Sequence, residues 1–278
     1  MAVQRLGAQL IAMVSLQFPQ VRSVGQYVQL VSKISERLGL PYGGIWYRGV
    51  AKGTHTLLPG TMRHASVVDE ESMVEDFLVS LPLHLHVDRP DPWELYGLMQ
   101  HHGLPTRLLD WSKSPLAALF FALDFVEDSE DHGQSPAIWV LNPYRMNRVL
   151  HDIERVFVPR TGFGPPDEGK LVGSYLPQSL RPTVAFGNQA LPKAPIAIEP
   201  TFSNVRLIAQ AGCFTVHGRG TQPLESLAAL RPHLFRLDIA PQKTATMRAD
   251  LDQLGYRREL IYPNLDHLAS RIKEERLR

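Results

Sequence analysis

The stretch Gln100-His101-His102-Gly103-Leu104-Pro105-Thr106-Arg107-Leu108-Leu109-Asp110-Trp111, followed by Ser112-Lys113-Ser114-Pro115, packs a helix end, a turn, a strand and a new helix into one short passage. A helical pattern begins at Pro90-Asp91-Pro92-Trp93, runs to about His102 and is stopped by Gly103. Gly-Leu-Pro then turns the chain. Thr106 to Asp110 reads as extended, with Thr106 and Leu108 on one side and Arg107 and Leu109 on the other. Ser114 caps, and Pro115 opens, a strongly apolar helix from Leu116 to Val126.

So many hydrogen-bonding groups beside so apolar a helix need internal partners. In one reading they form a buried brace, with Asp110 accepting from Arg107 or from a backbone amide. In the other, polar groups face a ligand, and His102 and Ser112-Lys113-Ser114 are better placed for that than the strand between them.

Upstream, apolar spacing predicts a helix over 21–39, with Ser23 as N-cap and Gly39 as C-cap. Gly43 to Gly49 reads as a short buried strand, Thr56 to Arg63 as loop, and Asp69 to Leu83 as a helix with an acidic first turn. Downstream, Ala137 to Leu141, Val205 to Val216 and Leu234 to Ile239 read as strands, and Ala245 to Gly255 and Leu265 to Leu277 as helices. Residues 158–204 are rich in Pro and Gly with little periodicity, which predicts a functional loop or an inserted hairpin. With helices early and most strands late, the class is α+β.

Composition excludes several classes. The net charge of +1 over 278 residues gives no overall basic field, so nucleic acid is neither indicated nor excluded by charge. Cys213 is the single cysteine, which rules out an intrachain disulfide and a cysteine-based zinc site. His84, His86, His101 and His102 lie close in sequence, but no His pair spans one helical turn around a Glu. No metal is expected. Neither a signal peptide nor the roughly 18 to 20 apolar residues of a membrane span is found, so a cytoplasmic, non-membrane protein is expected. A phosphate-cradling glycine loop and a Gly-x-Ser-x-Gly elbow are absent.

Two further segments can carry chemistry. In Tyr47-Arg48-Gly49 an arginine on an apolar strand needs a partner, either a structural carboxylate or an anionic ligand, and the glycine lets backbone approach a flat ligand. In the predicted strand 205–216, Ile208, Gln210 and Gly212 share a face on which Gln210 is the polar exception, while Cys213 reads as core. Arg160, Arg181, Lys193 and Arg206 either guide a phosphate backbone or cover a solvated loop.

Tyr47-Arg48-Gly49, Leu58-Pro59 with Arg63, the stretch Gln100 to Trp111, and Ser114-Pro115-Leu116-Ala117-Ala118-Leu119-Phe120-Phe121-Ala122 together closely resemble the FRG domain, a family named for an aromatic-Arg-Gly start. Gln210, Gly212 and Phe214 match its later Gln-x-Gly-x-Phe element. Leu254-Gly255 and Pro263-Asn264-Leu265-Asp266 resemble its tail. The resemblance runs from about residue 21 to 275 and implies a single FRG domain over 1–278: a helical part at 1–42, a mixed β-sheet core at 43–240 and C-terminal helices at 241–278. Family membership alone names no reaction.

The order of elements is also similar to the ADP-ribosyltransferase fold. There a first strand carries Arg or His before a small residue, a second ends in Ser/Thr-x-Ser before an apolar helix, and a late strand carries Glu. Arg48-Gly49 matches the first, Ser112-Lys113-Ser114 before Pro115 to Ala122 the second, and Gln210 stands where the Glu would be. The similarity implies a split, mixed β-sheet core flanked by helices, and NAD as substrate. Tyr47, Arg48, Gly49, Thr106, Ser112 and Ser114 would bind it; Gln210, His102 and Asp110 would be catalytic, with His102 as base toward the acceptor. An oxocarbenium-like ribose needs nearby negative charge, which a neutral Gln210 lacks. Either Asp110 supplies it, or turnover is slow, or the site only binds. The implied function is an NAD-dependent ADP-ribosyltransferase acting on a macromolecular acceptor, protein or nucleic acid, DNA included, in a toxin or phage-defence setting. The rival is a non-catalytic FRG module that binds a nucleotide or a partner protein. A nuclease or other hydrolase lacks the expected paired carboxylates.

Overall fold

Six short strands rich in β-branched, aromatic and other apolar residues form one sheet with helices packed on both faces, in a computed structural model that describes residues 18–40, 43–64, 67–84, 91–124, 135–159, 166–181, 190–200 and 205–277. The strands are β1 (Trp46–Val50), β2 (Leu108–Ser112), β3 (Ala137–Leu141), β4 (Ile196–Ile198), β5 (Gly212–Val216) and β6 (Leu234–Asp238), in the order β4-β5-β2-β1-β3-β6. Every ladder is antiparallel. The only parallel contacts among the described residues are isolated bridges, Val21 to Ile239 and Phe157 to Ile198. The α+β class therefore holds, but the mixed sheet expected from sequence is an antiparallel one.

The sheet is nearly cut in two. β1 pairs with β3 through five residue pairs and β2 with β5 through five, whereas β1 meets β2 only at Tyr47–Ser112. Beyond that pair the two central strands diverge. Side-chain alternation sorts the core accordingly. One face is continuous, with Trp46, Val50, Leu109, Trp111, Trp139 and Cys213 in a single cluster. The other face carries two separate clusters. Tyr47, Ile138, Val140 and Phe235 belong to the β1-β3-β6 half, and Leu108, Ile196, Phe214 and Val216 to the β4-β5-β2 half.

The helices that cover these halves form where capping chemistry permits. α1 (Val24–Leu38) starts at Ser23, whose side chain accepts from the Gln26 amide, and ends at Gly39 with φ 62°. α2 (Gly60–His64) is a single turn within the expected loop, and α3 (Val67–Ser80) carries Asp69 and Glu70 in its first turn. α4 (Pro92–His101) begins at the N-cap Asp91, and Gly103 beyond its end takes φ 84°. α5 (Pro115–Asp124) starts at Ser114, whose hydroxyl accepts from the Ala117 amide. α6 (Pro143–His151) and α7 (Pro166–Gly173) follow β3. None of these helices, nor any other among the described residues, is long and apolar enough to cross a membrane.

Of the functional loop or hairpin expected at 158–204, the hairpin is not found: the described residues contribute α7, a 3-10 turn at Gln178–Leu180 and the edge strand β4, and Pro159, Ile198 and Pro200 line a cleft at the split between β1 and β2. One expectation fails outright. Val205 to Val216 is not one strand: α8 (Val205–Ala209) leads through Ala211, at φ 47°, into β5. β2 ends at Ser112 opposite Gly212, so a longer β5 would have no ladder to continue. The missing Cβ of Gly212 also leaves room for Leu207 to fold back, since a Cβ there would lie 2.4 Å from Leu207 Cδ1. The chain closes with α9 (Thr244–Gln253), α10 (Arg258–Ile261) and α11 (Leu265–Arg276). Asp124 at the end of α5 is buried and accepts from Arg248 of α9 and Arg258 of α10, which fastens this tail to the sheet.

Candidate ligand cleft at the split of the sheet

Where β1 and β2 diverge, a cleft of about 390 Å³ opens between the two separate cores. Gly49 makes the divergence compatible with tight packing: a Cβ there would lie 1.9 Å from the Ala118 carbonyl oxygen and 2.6 Å from the Ala122 nitrogen. The glycine is thus required by α5 pressed onto β1, not by a ligand, although Gly49 does line the cleft.

Arg48 occupies the seam. Its Nη1 donates to the Asp110 carbonyl at 2.6 Å and lies 3.9 Å from the Asp110 carboxylate, while its buried Nε has no hydrogen-bond partner. Burial depresses its pKa; the Asp110 charge opposes that and Arg63 adds to it. A partly buried guanidinium with an open donor is a ready anion site. Asp110, with a side chain 57% exposed, accepts from Gln100 Nε2 at 3.0 Å.

The polar stretch divides its labour differently from the expected brace. Arg107, not Asp110, is the buried member, and its partner is Glu70 on α3 (Nε to Oε2 2.5 Å). Arg107 also donates to the carbonyls of Tyr175 and His217, and Tyr96 donates to Glu70. Thr106 is fully buried, with its hydroxyl bonded to Gln100, and does not line the cleft. His102, the exposed C-cap of α4, is also outside it, because successive helix residues point about 100° apart and His101 takes the inward direction. Ser114 is engaged as the cap of α5. Ser112 lines the cleft, but its hydroxyl donates to the Gln210 carbonyl at 2.6 Å and accepts from the Ser114 amide at 2.9 Å. Gln210 lines the cleft from the turn before β5, and its amide donates to the Ile261 carbonyl at 3.0 Å.

Of the nine residues expected at a site, Tyr47, Arg48, Gly49, Asp110, Ser112 and Gln210 therefore converge, whereas His102, Thr106 and Ser114 do not. Sequence reading did not assign one whole wall. Trp93, Glu94, Gly97, Gln100 and His101 line it from α4, and their spacing is that of one helical face, a signal the sequence does contain. Arg206 forms the rim, its guanidinium stacked 4.9 Å over the Tyr262 ring. Of the other three cations in and near the 158–204 segment, Arg181 donates to the Ser174 and Leu176 carbonyls, Lys193 is exposed, and Arg160 is outside the described residues. Burial, Arg206 and His102 lower the His101 pKa; burial, Arg63, Lys52 and Arg48 lower that of His55, also on the wall. Both imidazoles are consequently neutral at pH 7. Among the described residues no cluster of three or more His, Cys, Asp or Glu could hold a metal ion.

Fold and site define an antiparallel α+β protein with a cleft at the split of its sheet. Residues 43–131 match the family model of the FRG domain, a span that takes in β1, β2, α5 and the polar stretch but not Gln210. No curated protein and no solved structure matches the chain.

Proposed function

We propose that the cleft binds NAD and that the protein transfers ADP-ribose to a macromolecular acceptor. The observation that carries this reading is the adjacency of β1, β2 and β5 at the split, which brings Arg48, Ser112 and Gln210 to one cleft. The order of these motifs along the chain resembles that of the ADP-ribosyltransferase fold, which supports the reading. The cleft volume is within the range of small-molecule sites. Arg48 would hold the diphosphate and the aromatic wall would pack the nicotinamide. In the reaction the ribose–nicotinamide bond breaks with its electron pair leaving on nicotinamide. The acceptor's nucleophile bonds to the ribose carbon and gives up its proton. Asp110, not Gln210, would supply the negative charge facing the ribose.

The test is incubation with labelled NAD and separate DNA, RNA and protein acceptors. Nicotinamide release and label transfer are expected, falling at least about tenfold in Arg48→Ala, since one positioned charge is commonly worth that much. Release undiminished in Arg48→Ala, or neither release nor NAD binding, overturns the reading. A second reading, a module that binds a nucleotide without turning it over, is favoured by the Gln210 amide being engaged with Ile261. Binding without release would establish it.

A further inference from the structure

A directed chain of hydrogen bonds crosses from the core to the cleft. The Leu108 amide can only donate, and it donates to Thr106 Oγ1 at 3.2 Å. The single hydroxyl hydrogen of Thr106 is then left for Gln100 Oε1, 2.5 Å away. A carboxylate can only accept, so the Gln100 amide turns its nitrogen to Asp110 Oδ2, at 3.0 Å, and its oxygen to the Thr106 hydroxyl. A reversed Gln100 would set its Oε1 against the carboxylate oxygen of Asp110, two acceptors facing one another. Thr106 is fully buried and anchored beside the Arg107–Glu70 pair, so the chain's origin is rigid. Its end is an exposed carboxylate on the cleft wall, 3.9 Å from Arg48 Nη1.

We infer that Gln100, set by Thr106, is a positioning residue that aims the Asp110 carboxylate into the cleft. This rests on the transferase reading for its consequence, but not for its geometry. A carboxylate on an exposed side chain samples several rotamers, and a charge that stabilises a transition state must be held before the reaction. A neutral amide whose polarity is fixed holds it without cancelling it.

Variants at Gln100, Asp110 and Thr106 test the assignment. Gln100→Met removes the bond; Gln100→Glu with Asp110→Asn restores a bond of reversed polarity but moves the charge; Asp110→Asn alone removes the charge. Gln100→Met is expected to lower kcat for nicotinamide release about 10- to 100-fold, the scale of a misplaced group, with KM within about twofold. The paired exchange is expected to recover the thermal midpoint lost in Gln100→Glu alone while kcat stays low. Unchanged kcat in Gln100→Met, or kcat recovered in the paired exchange, overturns the assignment. Should the wild-type protein release no nicotinamide, the transferase reading fails and the relay is judged by NMR. The Gln100 side-chain amide protons must shift in both Asp110→Asn and Thr106→Val, and signals unmoved in either variant overturn it.

Discussion

His217, one residue past β5, is fully buried beneath two arginines, and its pKa is pushed down to about 3, first by burial and then by Arg107 and Arg48. In the unfolded chain it takes a proton near pH 6.5. Between pH 6.5 and 3 the unfolded state therefore binds a proton that the folded state refuses, so its contribution is fully present above 6.5 and is lost as pH falls. The slope of one such group is at most about 1.4 kcal/mol per pH unit. Urea unfolding from pH 7.5 to 4.5 should show falling stability below 6.5, and His217→Gln should flatten that fall. The half-buried His151 and the buried His233 are shifted in the same direction and leave a residual slope. A slope unchanged by His217→Gln would mean that the group titrates normally in the folded protein.

Between elements, the contact of β1 with α5 depends on a missing Cβ, and substitutions at three glycines should separate such a contact from looser ones. Gly49→Ala drives a methyl into the α5 backbone at Ala118 and Ala122, which cannot move without lifting the helix. A loss of about 3 kcal/mol, the upper end for overpacking, is expected. At Gly212 the clash is with the end of the Leu207 side chain, which can swing away, so the same substitution should cost less. On α4, Gly97 meets nothing within 4 Å, and Gly97→Ala should gain up to about 1 kcal/mol in helix propensity. Thermal or urea midpoints of the three variants should rank in that order. A mild Gly49→Ala would show that α5 does not rest on β1 as described.

Across the whole molecule, Arg107 ties α3, α4, β2 and the segments around Tyr175 and His217 into one half of the sheet. Arg107 and Glu70 are 1% and 0% exposed, so either one alone is an uncompensated buried charge. Arg107→Met or Glu70→Leu should each cost about 3 to 5 kcal/mol, and the double variant clearly less than their sum. Additive losses in a double-mutant cycle would show the two side chains to be independent. Because this brace underlies β2, its loss should also disturb the cleft that β2 borders.

Local chemistry was legible along the chain. Ser23 and Gly39 bound α1, Pro115 opens α5, and the apolar runs at 137–141 and 234–238 form β3 and β6, because caps and alternation act within a few residues. The aromatic-Arg-Gly start and the polar stretch were enough for the FRG resemblance, and Arg48, Asp110 and Gln210 do reach one cleft. What depends on pairing partners was not legible. Val205–Ala209 has an apolar composition that suits a strand, yet it coils because β2 offers no further ladder. The stretch from Gln100 to Trp111 contains both brace and site. Only the tertiary structure decides that Arg107 turns to a glutamate 37 positions away, while Gln100 and Asp110 turn outward to the split between β1 and β2. A side chain's partner is fixed by where distant strands diverge, and no local spacing encodes that.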